Sequence, residues 1–299
     1  MSCGWVDRIG GPGINPTKEL LFRKGYVLSL YANDVVTDGV LVMTVAAWVD
    51  SLQAKGRYTF LRSGSGLSPE AVKKALQRLA RRRRVAKIKN YFYVIVPLEY
   101  RDAGGPPPSW FIDDLMKVME RPYYVGLLSA AGIHGASHHQ PQEFQIFSDR
   151  PIRPLKVGRT TIRFFANQRV SSAAVQNVKT ATGTMRVSTP EATAVDLVPF
   201  AKSAGHLDNV ATVLAELVPL LGPGRLLKAV RAIGDVPNAQ RLGYLLERVG
   251  KRPLAKPLHD WLRRQSTSVV PLRPGKSATE GAEERRWHVL VTDPIEVET

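Results

Sequence analysis

Apolar positions recur at helical spacing from Thr44 to Lys55, where Val45, Trp48, Val49 and Leu52 fall on one face. Gly56 follows and predicts the helix end, since glycine enters the left-handed conformation there without strain. Arg57–Leu61 (RYTFL) reads as a short extended piece and Arg62–Leu67 (RSGSGL) as a turn. Ser68-Pro69-Glu70 then opens a second helix that runs to about Arg82. Serine caps the free N–H groups, proline stands where its missing N–H costs nothing, and glutamate favours the positive end of the dipole. Val72, Ala75, Leu76, Leu79 and Ala80 make the apolar face of this helix; Lys73, Lys74, Gln77, Arg78 and Arg81 make the other. Two short strands follow, Val85–Lys89 and Tyr91–Val96, joined tightly around Lys89-Asn90 and closed by Pro97.

Gly104–Pro108 (GGPPP) is a short, stiff boundary. Beyond it, Ile112–Met119 and Tyr123–Ile133 read as helices and Glu143–Ser148 as a strand. Ile152–Val157 and Thr161–Ala166 flank Gly158 as a hairpin, and Met185–Ser188 predicts another strand. Thr189-Pro190-Glu191 repeats the helix-start signal and opens a helix to about Lys202. Leu207–Arg264 is helical, broken at Gly222-Pro223-Gly224, Pro237, and Pro253 to Pro257, with no regular repeat period. The tail from Ser266 is polar and rich in Pro and Gly up to Arg286, after which Trp287–Val291 alternates like a strand. The tail is therefore expected to return to the body. Residues 1–42, with the breaker cluster Gly10–Gly13, read poorly as a domain. Two readings stay open: Met43 is the natural start and the preceding residues are a non-native or loosely ordered arm, or they are a genuine extension.

A length of 299 residues and 44% apolar content suit about two globular domains. The formal charge of +16 speaks to partners and not to fold, and by itself admits DNA, RNA, an anionic membrane or an acidic protein. Its distribution narrows this. Arg57–Arg101 holds 12 basic residues and only Glu70 and Glu99 as acids, so this window carries +10 of the charge. A concentrated basic module beside a nearly balanced one is the electrostatic footprint of a nucleic-acid binder. The one cysteine, Cys3, excludes an intrachain disulfide and fits a reducing, cytoplasmic setting. The longest apolar stretch, near Val40–Val49, is too short to span a bilayer, and the first residues lack a signal-peptide pattern.

The order helix, short strand, turn, capped basic helix, two-stranded hairpin is that of a winged helix-turn-helix. A helix fits the major groove, where residues near its N-terminus reach base edges. Ser68, Lys73, Lys74, Gln77 and Arg78 are expected to face DNA, with Gln77 and Arg78 able to make bidentate base contacts. The run Arg81, Arg82, Arg83 and Arg84 is expected on phosphates, and Lys87, Lys89 and Asn90 on the wing. The plain alternative for the arginine run is a solvated helix end that favours the dipole. Other chemistry is weaker. His134, His138, His139 and Glu143 cluster in sequence but lack the spacing of shared metal ligands. Ser129 sits in no nucleophile elbow, Asp113, Asp114 and Asp196 form no evident acid/base pair, and no phosphate-binding glycine loop is present. Tyr123-Tyr124 and Phe164-Phe165 read as core and hairpin aromatics. No cofactor, metal or catalytic residue is expected.

Gly56–Phe60 (GRYTF), Leu67–Arg84 (LSPEAVKKALQRLARRRR) and Tyr91–Arg101 (YFYVIVPLEYR) resemble the N-terminal domain of AbiEi-type antitoxins. Arg121–Phe147, Val187–Val198 and Trp287–Glu298 resemble their C-terminal domain. The resemblance implies a bacterial type IV toxin–antitoxin, or abortive-infection, system. It implies a winged helix that represses the operon's own promoter at inverted repeats, and a C-terminal domain that counteracts a nucleotidyltransferase-like toxin without requiring direct contact. Two departures stand out: the short Arg62–Leu67 turn replaces an acidic helix, and Asn90-Tyr91 stands at the wing tip in place of glycine.

The expected fold is thus α+β. A winged helix-turn-helix over residues 43–103 is followed by a larger mixed α+β antitoxin domain over 109–299 with a helical C-terminal part. The expected protein is a non-enzymatic, cytoplasmic DNA-binding repressor. Two alternatives are a winged-helix transcription factor whose C-terminal domain senses a ligand, and a nucleic-acid-processing enzyme delivered by the winged helix.

Overall fold

The computed structural model describes residues 43–65, 68–89, 91–136, 143–273 and 281–296. Before them it gives the backbone of four short strands, β1 (Phe22–Arg23), β2 (Tyr26–Leu28), β3 (Asp34–Thr37) and β4 (Val40–Met43), joined as an antiparallel meander. The rest of residues 1–42, and with it the reading of a loosely ordered arm, lies outside the described residues.

Helix α1 (Val45–Ala54) starts on Thr44, whose hydroxyl accepts from the Ala47 N–H at 3.1 Å, and stops at Gly56 with φ +70°. Strand β5 (Thr59–Leu61) and one 3-10 turn (Arg62–Ser65) lead to α2 (Pro69–Arg81). Ser68 caps α2 through the Ala71 N–H, and Pro69 occupies its first turn. Strands β6 (Val85–Lys87) and β7 (Phe92–Ile95) complete a three-stranded antiparallel sheet in which β7 is central. The period of two sends Tyr93 and Ile95 to a core with Val49, Val72, Leu76 and Leu79, and Phe92 and Val94 to the other side.

That other side is not solvent. Phe92, Val94 and Ile88 share one apolar cluster with Phe111, Ile112, Leu115 and Met116, at and in α3 (Ile112–Val118). The boundary segment is part of the joint: Gly105 and Pro106 are buried, and Gly104 and Gly158 lie backbone to backbone, leaving no room for a side chain on either. The hairpin expected as a wing is therefore docked by one face onto the second module.

The second module is built on a six-stranded mixed sheet. Its strands are β8 (Tyr123–Val125), β9 (Glu143–Ser148), β10 (Leu155–Val157), β11 (Thr160–Ala166), β12 (Val175–Thr180) and β13 (Gly183–Ser188), in the order β10-β11-β9-β8-β13-β12. Strands β11 and β9 are parallel, as are β13 and β8, and the other neighbours are antiparallel. The sheet is covered on both faces. Tyr123, Val125, Ile146, Ile162 and Phe164 face α3 and the N-terminal sheet, while Tyr124 and Phe147 face the helices. Those helices are α4 (Leu127–Ile133), α5 (Pro190–Leu197), α6 (His206–Leu217), α7 (Pro223–Ile233), α8 (Val236–Arg248) and α9 (Arg252–Leu262). A small sheet of β14 (Val270–Pro271), β15 (Ala282–Glu284) and β16 (Val289–Val291) closes the chain against α8. The mixed α+β class with a helical C-terminal part is what the sequence predicts.

Several local expectations need correction. Tyr123–Ile133 is not one helix: Tyr123–Val125 is a buried strand, and α4 begins only after Gly126. An apolar run buried on both faces shows no period, so strand and helix look alike in it. Strand β12 leaves no mark in the hydrophobic pattern because it is a largely polar edge strand. Helix α5 ends at Leu197, not near Lys202, and a separate 3-10 turn follows at Ala201–Ala204. The helical stretch is interrupted just before Pro237 and Pro253, as expected, and each proline sits in the first turn of the helix that follows, where its missing N–H is harmless. Pro257 lies inside α9. The tail does return, but Trp287 belongs to the turn before β16, with its ring fully buried.

Candidate nucleic-acid interface

The two faces of α2 differ as its sequence requires. Val72, Leu76 and Leu79 are buried against α1 and the three-stranded sheet. One helical turn apart on the outer side, Lys73, Lys74, Gln77, Arg78 and Arg81 are all exposed, with Arg82 exposed at the C-cap and Ser68 at the N-cap. Their only acidic neighbour in the helix is Glu70, in the first turn. Among the described residues, the side chains of Lys73, Lys74, Gln77, Arg78, Arg81 and Arg82 have no hydrogen bond or ion pair. They are available for an external partner. Exposed Arg57 and Arg62 on the flanking segment carry further positive charge.

The arginine run divides. Arg84 is half-buried and ion-paired to Asp50 of α1, so it ties the two helices together. Arg83 adopts φ +53° and donates from Nη1 to the Arg101 carbonyl at 3.4 Å. The expectation that all four contact phosphate is therefore corrected: Arg83 and Arg84 have structural partners, whereas Arg81 and Arg82 are free. On the hairpin, Lys87 is exposed and Lys89 half-buried, while Asn90 lies outside the described residues. At the same end, Leu61 and Tyr91 are exposed apolar side chains, and the Arg62 N–H donates to the Tyr91 carbonyl at 2.9 Å.

Sequence reading did not foresee the space between the modules. A cavity of about 420 Å³ is lined by Arg57, Tyr58, Thr59, Trp110, Asp114 and Lys117 together with neighbouring residues. Tyr58 meets Trp110 edge to face at 4.9 Å, and the Thr59 hydroxyl donates to Asp114 at 2.5 Å. No local motif marks it, because its walls come from segments some fifty residues apart.

The other sequence candidates resolve into structural roles. His134 Nε2 lies 2.8 Å from the Ser188 carbonyl, and the Ser129 hydroxyl accepts from the Gln145 N–H at 2.9 Å. His138 and His139 lie outside the described residues; among the described ones no group of His, Cys, Asp and Glu comes together as a metal site. Asp196 is buried and accepts from the Tyr124 hydroxyl at 3.0 Å. Burial pushes its carboxyl up to about 7, against the lowering effect of that hydrogen bond. Burial and the neighbouring Asp196 raise the Tyr124 phenol as well. Asp113 accepts from the Tyr123 hydroxyl at 2.9 Å and pairs with Lys117. No helix among the described residues is long and apolar enough to cross a membrane.

A family model described as AbiEi antitoxin C-terminal domain matches residues 124–248, the stretch from the centre of the large sheet to the end of α8. Among solved structures, the chain is similar to the crystal structure of the RV2827C protein from Mycobacterium tuberculosis. The TM-score is 0.61 at 17% identity, over 83% of this chain and 91% of that one. That likeness concerns the fold. No curated protein matches the chain.

Proposed function

We propose that the chain is a DNA-binding antitoxin that represses its own promoter; the match of residues 124–248 to the family model described as AbiEi antitoxin C-terminal domain supports an antitoxin role in a toxin–antitoxin system. The single observation behind the DNA reading is the outer face of α2, where cations and Gln77 stand exposed with no partner among the described residues. In this reading residues 45–95 are a winged helix whose second helix is reduced to one 3-10 turn. Helix α2 enters the major groove; Gln77 and Arg78 read base edges, while Lys73, Lys74, Arg81 and Arg82 neutralise phosphates. Lys87 and Lys89 add backbone contacts from the hairpin. Docking of that hairpin on the second module fixes the reading head relative to the antitoxin domain, so two copies on an inverted repeat would be spaced by the body and not by a loose linker.

The protein acts in the cytoplasm, without cofactor or catalysis, and counteracts a nucleotidyltransferase-like toxin encoded beside it. A reporter fused to the promoter upstream of the gene tests the first half: expression of the protein lowers reporter output at least severalfold. Co-expression with the neighbouring toxin gene tests the second: growth is restored. Equal reporter output with and without the protein overturns the repressor reading, and unrestored growth overturns the antitoxin one.

The cavity between the modules favours one second reading, a transcription factor whose ligand sits between the DNA-binding and C-terminal modules. Its volume of about 420 Å³ is in the range of small-molecule sites. A gene neighbourhood without a nucleotidyltransferase would move the balance to it.

A further inference from the structure

A second concentration of positive charge lies far along the chain from α2, at the end of α9. A cavity of about 240 Å³ there is lined by Gln240 of α8, His259 and Leu262 of α9, Arg263 at its C-cap, Thr267, and the β15–β16 turn Arg285–His288. The guanidinium groups of Arg263, Arg285 and Arg286 and the imidazoles of His259 and His288 therefore meet there from two segments, the end of α9 and the β15–β16 turn. Acidic side chains stand beside them, and Glu284 accepts from the Trp287 backbone N–H at 2.9 Å. Glu247 pairs with Arg286 at 2.8 Å and with Arg252 at 3.7 Å; Asp260 pairs with Lys256 at 2.7 Å and reaches His259 at 3.9 Å; Glu283 lies 3.8 Å from His288. The side chains of Arg263 and Arg285 are exposed and have no ion pair or hydrogen bond among the described residues. These two guanidinium groups are the cavity's unpaired cations among the described residues.

Its floor carries unmet hydrogen-bonding capacity. Gln240 and Trp287 are each 1% exposed. Gln240 Nε2 donates to the carbonyls of Ser268 and Trp287, yet its Oε1 has no partner; Trp287 Nε1 has none either. A buried donor without an acceptor is unfavourable, so of these two atoms the Trp287 indole N–H is the one that points to an acceptor from outside the protein. The indole is held rigidly: His259 packs edge to face on it at 5.4 Å, Arg286 lies over its ring, and Gly243 of α8 leaves room where any side chain would collide with it. His288, in the turn, adopts φ +50°.

We propose that this cavity is an oxyanion site for a phosphoryl group. Free guanidinium forks, a threonine hydroxyl and imidazoles arrive from several directions, which suits a compact tetrahedral ion with many acceptor oxygens better than a planar carboxylate. The volume holds a phosphoryl group with some water but is below that of sites for whole drug-sized ligands. The site lies apart from α2 in sequence, and all its lining residues except Gln240 fall outside the stretch that matches the antitoxin family. It does not depend on the DNA-binding proposal.

The phosphate can come from a free ion or from the end of a nucleic acid. Calorimetric titration of the full chain at low salt uses inorganic phosphate in one arm. A second arm compares a short single-stranded oligonucleotide with and without a 5′-phosphate. Saturable phosphate binding is expected, weakened about tenfold or more in Arg263→Ala/Arg285→Ala and severalfold in Trp287→Phe, which keeps an aromatic ring and removes the indole donor. Lys73→Ala/Gln77→Ala/Arg78→Ala, which alters only α2, is expected to bind phosphate as the parent does. A preference for the 5′-phosphorylated oligonucleotide that disappears in the double variant assigns the source to nucleic-acid ends; phosphate binding without that preference assigns it to the free ion. No saturable binding of either probe, or binding unchanged in Arg263→Ala/Arg285→Ala, overturns the site.

Discussion

The two modules treat their polar side chains in opposite ways. In α2 the polar groups form one outer face, exposed and without partners among the described residues, while the inner face is purely apolar. In the second module the conspicuous polar residues are turned inward and used. Gln145 accepts from the Leu128 N–H and donates to the Ser203 carbonyl; Arg241 donates to the Pro271 carbonyl; Asp196 accepts from Tyr124. Glu191 is an informative case. Burial alone would raise its carboxyl, but the Gly222 N–H at 3.0 Å and the Arg225 guanidinium at 2.6 Å hold it below the usual range. Buried polar networks of this kind fix one arrangement of elements, because breaking any one bond strands a group in low dielectric. The contrast teaches where to look for recognition: a partner meets groups that the fold has not already consumed, and those are on α2 and at the end of α9.

The contrast breaks most visibly at Trp287. Removing this fully buried ring by Trp287→Ala is expected to cost about 3–5 kcal/mol of stability, read as a lower denaturation midpoint. Gly243→Ala is expected to destabilise too, although alanine is the better helix former by about 1 kcal/mol, because its Cβ collides with the indole. A rise in stability for Gly243→Ala would show that the tail does not pack there.

Asp196 gives the next largest effect, and a direction. Its carboxyl, pushed up to about 7 in the fold, has an ordinary value of about 3.9 in the unfolded chain. The folded state therefore holds a proton that the unfolded state releases. The stabilising contribution is full below about pH 4 and is lost as pH rises through about 7. Asp196→Asn keeps an acceptor for Tyr124 and removes the titration. Urea melts at pH 5 and pH 8 are expected to show a smaller loss of stability on going to the higher pH, with a gain of a few kcal/mol at pH 8. An unchanged difference between the two pH values would mean that Asp196 is not buried as described.

The smallest expected effect sharpens the other side of the comparison. Lys87→Ala/Lys89→Ala is expected to weaken promoter binding roughly tenfold at low salt. The slope of log affinity against log salt should become shallower by about 0.9 for each phosphate that the variant no longer neutralises. Since Lys89 is half-buried and the hairpin is docked, most of this change should come from Lys87. A slope that does not move would place the hairpin away from the duplex.

How much of this was legible in the sequence follows the same division. Helix α2 was readable to within a residue, because Ser68-Pro69-Glu70 is a local signal and a half-exposed helix must show its period. The same exposure made its cationic face readable. Strand β8 was not, since Tyr123–Val125 is apolar on both sides of a covered sheet and offers no alternation. Nor was the pairing of Arg84 with Asp50, which depends on how α1 packs and not on any motif. The return of the tail was visible in Trp287–Val291, but the cavity beside it joins Gln240, Arg263 and Arg285, and only the packing of α8, α9 and the last strands brings those together.

The central claim is that the outer face of α2 holds duplex DNA. Fluorescence anisotropy of a labelled promoter fragment, titrated in parallel with the parent chain and with Lys73→Ala/Gln77→Ala/Arg78→Ala, tests it directly. The account predicts at least about a hundredfold loss of affinity in the variant, with preference over a scrambled duplex abolished and the melting temperature unchanged. Equal affinity and equal preference for both proteins would contradict it.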